Sequence, residues 1–348
     1  NHPQRQEVKM KPIDLSKLKV YPLAERNSMA GIEETLIDPT TSPAELSPAN
    51  REHLERSASD IRSARKAGAS VMCLFGAHLI KNGAQSLLDR LMAKGWITHL
   101  ATNGASVIHD WEWAHHGRST ECVRSNVATG TFGAWEETGR YLHLALLAGA
   151  VNGEGFGQSV GHMIAEDGVT LQKKAELETQ LRDEPGHPLS PARADLLQAM
   201  QQHDLAEGRH EISHQWKSSC ILANAFAHKV PYTVHPGIGY DIISNHPMFN
   251  GAALGRAAQI DFSTFGGAVE ELDGGVVLSV GSAIMGPQVF EKSISCVNNL
   301  RLQDEKPIVQ GHSFYVVDIQ DGGGWDWAQG EPPKDNPAYY LRFCKSYA

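Results

Sequence analysis

The stretch HLATNGASVIHDWEWAHH, residues 99–116, sets His109, Asp110, Glu112, His115 and His116 within eight positions, directly after a small-residue loop. An imidazole beside a carboxylate can move protons near neutral pH, hold a divalent metal, or simply cap a helix. A second group, His235, Asp241 and His246, lies in HPGIGYDIISNHP at 235–247. If the fold gathers the two groups, His109, Asp110, His235 and Asp241 are the candidate acid–base residues. With His246 they could also be ligands of a metal-dependent hydrolase of guanidino or amide compounds. Asp at a helix start is favoured by the macrodipole, so capping alone explains Asp110. Glu112, His115 and His116 are expected on an exposed helix face, and Trp111 and Trp113 in packing.

Positioning such residues takes regular elements. Five apolar runs read as buried strands: SVMCLF (70–75), WITHLAT (96–102), VPYTVH (230–235), GGVVLSVG (274–281) and HSFYVVDI (312–319). The first two bracket HLIKNGAQSLLDRLMAKG, whose periodicity is helical, which makes a right-handed βαβ unit with parallel strands. Helical stretches around 251–268 and 287–299 separate the later strands. The expected fold class is therefore α/β: a Rossmann-like, doubly wound, mostly parallel sheet flanked by helices. A helical excursion is expected at about 133–228, its charge runs being solvated faces. Residues 1–69 read as a polar arm plus the helix SPANREHLERSASDIRSARKAG, with Ser47 as N-cap and Gly68 as stop, leaving 70–348 as the α/β domain.

In parallel sheets ligands bind beyond the carboxyl ends of the strands. The tips here are GAH (76–78), TNGAS (102–106), the 235–247 loop, GSAIMGP (281–287) and Asp318, each small, glycine-bearing or ionisable. No GxGxxG follows a strand; GEGFGQSVG (153–161) follows a helical segment.

Composition removes several classes of function. The 348 residues are 41% hydrophobic with a formal net charge of -9, and Lys and Arg are scattered, so nucleic acid is not an expected partner. No apolar run approaches the roughly 18 residues of a membrane span, and NHPQRQEVKMKPIDLSK lacks the apolar core of a secretory signal, so the expected compartment is the cytoplasm. Five cysteines without CxxC spacing read as free thiols.

Taken in order, the tips resemble the deoxyhypusine synthase family over roughly residues 70–320. LFGAHLIKNG is similar to that family's strand–loop–helix segment that receives NAD. THLATNGASVIHDWE is similar to its Thr-Thr-Ala-Gly-Gly-Val-Glu-Glu-Asp loop, and HKVPYTVHPGIG to its His-x-Pro strand. GSAIMGPQV is similar to its Ser-Gly-Ala-Arg-Pro-Asp-Glu loop, and YVVDI to the strand ending at the NAD ribose. The resemblance implies an NAD-dependent transferase acting on an amine or polyamine-like substrate through an imine, usually a homotetramer. NAD would then lie on Gly76, Ala77, His78, Asn103, Gly104, Ser282 and Asp318. The family's reactive lysine would fall at about Ser295, so Lys292, one helical turn earlier, is the candidate, with Lys81 beside the first tip as the other. The chain departs from the family where Ile108 and His109 replace two carboxylates and Gln288 and Val289 replace Asp-Glu. A nucleotide-binding subunit without turnover is a further reading.

Overall fold

The computed structural model describes residues 11–347; the first ten residues of the expected polar arm lie outside them. Its centre is a five-stranded sheet: β1 (Val71–Phe75), β2 (His99–Thr102), β3 (Tyr232–Val234), β4 (Val276–Val280) and β5 (Ser313–Val317). All four pairings are parallel and the spatial order is β3-β2-β1-β4-β5, so the direction of winding reverses between β1 and β4. This is the Rossmann-like, doubly wound arrangement expected from the sequence.

β1 is buried at all five positions because it is central and covered on both faces. Alternation sorts its side chains. Met72 and Leu74 meet Phe265, Val269, Phe290 and Val297 from α7 (Gly251–Glu270) and α8 (Met285–Gln303). Cys73 and Phe75 face the larger core on the other side, built from α3 (Gly104–His116), α4 (Glu136–Ala150), α5 (Phe156–Ala165) and α6 (Ile221–His228). A fully buried ring such as that of Phe75 contributes roughly 1.5 to 3 kcal/mol.

The 133–228 stretch is helical as expected, but it is no surface excursion: Leu142, Leu146, Phe156, Val160 and Ile164 are fully buried in the main core. It also carries an antiparallel pair, Gly168–Leu171 with Gly208–Glu211. The N-terminal helix α1 (Pro48–Ala67) begins with the Ser47 hydroxyl accepting from Asn50 N–H and stops at left-handed Gly68. Upstream, Ala30–Gly31 pairs with Arg118–Ser119, which ties the 11–31 segment to the end of α3. No helix among the described residues is long and apolar enough to cross a membrane.

Candidate functional site

The carboxyl edge of the sheet carries the candidate residues. α2 (Ala77–Lys81) leaves β1 at Gly76, and a Cβ there would collide with the carbonyl of Gly281 at the tip of β4. Glycine is required because the two tips nearly touch where the strand order reverses. Both glycine N–H groups are spent on the sheet, Gly76 on Val280 and Gly281 on Val317.

Side chains supply the remaining polar groups of this rim. The Ser282 hydroxyl accepts from Gly286 N–H and keeps its proton to donate. Asn103 caps α3 by accepting from Ser106, which leaves its amide N–H groups free. Asp318 accepts from Gln320 N–H through one oxygen and retains the other, while His78 is exposed. A hydroxyl, an amide and a carboxylate along one rim are a donor and acceptor set that fits the phosphates and ribose of a dinucleotide.

Beside this rim, the flank of α3 opens into a cleft of about 190 Å³ lined by His109, Asp241, Lys81, Tyr240, Thr120 and Glu121, among others. Asp241 reaches it because Gly104 has no Cβ: one there would strike the Asp241 carboxylate, which also accepts from Gly237 N–H at 2.8 Å. Burial pushes the Asp241 carboxyl up to about 6, against the backbone N–H groups of Gly237 and Ala105 that favour its charge. Burial pulls the His109 imidazole down to about 4, opposed by Glu112 and reinforced by Lys81 and Arg26. At pH 7 His109 is therefore a neutral base. Thr120 holds a left-handed φ of 71° that a β-branched residue seldom adopts. Its buried hydroxyl has no partner among the described residues. Strain and an unmet hydroxyl at one cleft residue are features of ligand sites.

Behind His109 stands a chain of polar groups. Its Nδ1 lies 2.7 Å from the Ser119 hydroxyl, which lies 2.6 Å from Glu112 Oε2. Glu112 is not on an exposed face: its side chain is 1% exposed and bridged twice by Arg26, at 2.6 and 2.8 Å. Thr138 donates to its Oε1 at 3.0 Å. Arg26 and Ser119 converge because α3 ends at left-handed Gly117 and the chain returns to pair with Ala30–Gly31.

Other expected residues go elsewhere. Asp110 turns into the core and caps α6, accepting from the N–H groups of Ile221 and Leu222 and from the Cys220 thiol. It thus caps a helix other than its own, and burial pushes its carboxyl up to about 6. His235 follows strand parity: Tyr232 and Val234 enter the α3–α6 core, so Thr233 and His235 point to the opposite face. There His235 packs edge-on to Phe265 and stands 3.3 Å from the Thr233 hydroxyl, which also meets His99. His246 packs under Gly139 and faces Glu136. The five ligands of the hydrolase reading are thereby dispersed, and no group of three or more His, Cys, Asp or Glu among the described residues is placed to hold a metal. Lys292 lies on the solvent side of α8, paired with Glu291 at 2.5 Å, whereas Lys81 lines the cleft. Trp111 and Trp113 are packing residues, the former donating to His214. Sequence reasoning missed Arg26, Ser119 and Thr120; only the Arg118–Ser119 return after Gly117 carried a local signal.

No protein-family model matches the chain, and no curated protein does. Among solved structures, AgrE in ternary complex with ornithine and NAD+ is 13% identical over 87% of this chain, with a TM-score of 0.35. The chain spans 34% of that protein's length. A putative LOR/SDH protein from Methanococcus maripaludis S2 is 13% identical over 92% of this chain and 67% of its own, with a TM-score of 0.37. A putative deoxyhypusine synthase from Entamoeba histolytica is 9% identical over 65% of this chain and 74% of its own, at 0.28.

Proposed function

We propose that this chain is an NAD-dependent enzyme that acts on a small amine and transfers an aminoalkyl group through an imine. One observation carries the reading: a neutral imidazole, a carboxyl near neutrality and a lysine share a cleft beside the strand-order reversal of a parallel sheet, where such folds bind ligands. Ala77, His78, Asn103, Gly104, Ser282 and Asp318 would hold NAD along the rim beside Gly76. Bound there, NAD would accept hydride from the carbon next to the substrate nitrogen and would return it once an acceptor amine had taken the group over from the lysine imine.

The chain's own groups do the rest. Asp241 and Glu121 hold the substrate nitrogen in the cleft, and His109 accepts an N–H proton from it as hydride leaves and the nitrogen becomes an iminium. The Lys81 amine then attacks the imine carbon and displaces the first amine, retaining the group as a lysine imine. Lys292, turned to solvent, does not take this role. Cytoplasmic placement and homotetrameric assembly belong to the same proposal.

The test is borohydride trapping with a panel of diamines, with and without NAD, followed by peptide mapping. NAD should raise the melting temperature and quench tryptophan fluorescence, and the label should fall on Lys81. No thermal shift removes the cofactor assignment. NAD binding without any label leaves a nucleotide-binding subunit, and a label on Lys292 moves the chemistry out of this cleft.

A further inference from the structure

The contacts behind His109 fix where its proton resides. Glu112 is a charged acceptor: Arg26 and Thr138 donate three hydrogen bonds to its two oxygens, and Ser119 fills the fourth site. An ionised carboxylate has no proton to give, so the 2.6 Å contact must be made by the single proton of the Ser119 hydroxyl. That proton being spent, Ser119 can only accept at its 2.7 Å contact with His109, and Nδ1 must be the donor. A neutral imidazole protonated at Nδ1 carries its lone pair at Nε2.

We propose that Arg26, Glu112 and Ser119 form a proton-ordering chain that locks His109 in its Nδ1–H tautomer and holds Nε2 as a lone-pair acceptor for an ammonium or amine N–H in the cleft. The role of that acceptor as base rests on the function proposed above; the tautomer does not. Ser119 is a positioning residue acting through His109, as the orienting member of a nucleophile–base pair does. Each link comes from a different part of the chain. Arg26 arrives with the N-terminal segment, Glu112 and His109 lie three residues apart on one face of α3, and Ser119 returns after the Gly117 turn. The charges facing His109 are those of Glu112, Lys81, Arg26 and His78. Lys81 and Arg26 are cationic donors with no lone pair to offer the Ser119 proton, and the side-chain partners of the Ser119 hydroxyl among the described residues are Glu112 and His109, not His78.

The test is nitrogen-15 NMR of the full chain labelled at histidine, with His109→Asn identifying the signal. At pH 7 the wild-type His109 should show a pyrrole-like Nδ1 and a pyridine-like Nε2. In Ser119→Ala the constraint is gone, and the ring should revert toward the Nε2–H form. In Glu112→Gln an amide N–H facing Ser119 turns the hydroxyl onto Nδ1, so Nε2–H should again dominate. A wild-type ring protonated at Nε2, or a Ser119→Ala ring still protonated at Nδ1, overturns the proposal. The wild-type spectrum decides the first of these outcomes even if a variant does not fold. A locked tautomer with no amine turnover in the presence of NAD would refute the enzymatic reading and leave the chain of hydrogen bonds standing.

Discussion

His109 and His235 lie on opposite faces of the same sheet, and burial holds both imidazoles near 4. Their surroundings differ. His109 has a hydroxyl, a carboxylate and a guanidinium in line behind it and an open cleft in front. His235 has Phe265 against its ring and, beyond Thr233, another buried histidine. A depressed pKa reports only desolvation, which packing and catalysis share. Directional partners plus an open side separate a working group from a packed one.

The comparison breaks most readily at Glu112. Glu112→Ala should cost about 3 to 5 kcal/mol in urea unfolding, because Arg26 is left as a buried charge without a counter-ion. A loss below about 1 kcal/mol would mean that the chain behind His109 is not formed. Asp110→Ala comes next: unsatisfied N–H groups at Ile221 and Leu222 should cost about 1 to 3 kcal/mol and speed hydrogen exchange at the start of α6. The His109 NMR signal should not move, since Asp110 serves the core and not the cleft.

His235 sharpens the contrast through pH. Its folded value of about 4 lies below the ordinary histidine value of 6.5, so the native state binds fewer protons in that window. The stability is fully present above 6.5 and is lost as pH falls toward 4, by up to about 1.4 kcal/mol per pH unit. Asp241 works in the opposite sense, its raised carboxyl costing stability as pH rises through about 6. His235→Leu should flatten the acid side of the urea midpoint against pH while leaving NAD binding intact; an unchanged slope would show that His235 is not shielded. Smallest of all, Lys292→Ala should change stability by less than about 0.5 kcal/mol and leave borohydride labelling unaltered.

Much of the architecture was readable. All five strands fall inside the apolar runs that announced them: β1, β2 and β3 are buried throughout, β5 is an edge strand that leaves Val316 and Val317 exposed, and the glycines at 76 and 281 mark the ends of β1 and β4. The site was readable in part. His109 and Asp241 do share a cleft, but the pairing of Arg26 with Glu112 spans 86 residues and follows no local periodicity. Asp110 was ambiguous for a related reason, its true partners lying 111 and 112 residues onward. His235 was misleading because sequence alternation gives two faces and does not say which one holds the cleft.

The Arg26–Glu112 bridge also gives the protein a built-in seal. A protease cut that freed the segment ahead of Ala30 would strip the guanidinium from a buried carboxylate, so resistance of that segment to trypsin is a direct gauge of whether the wall behind the His109 cleft is assembled.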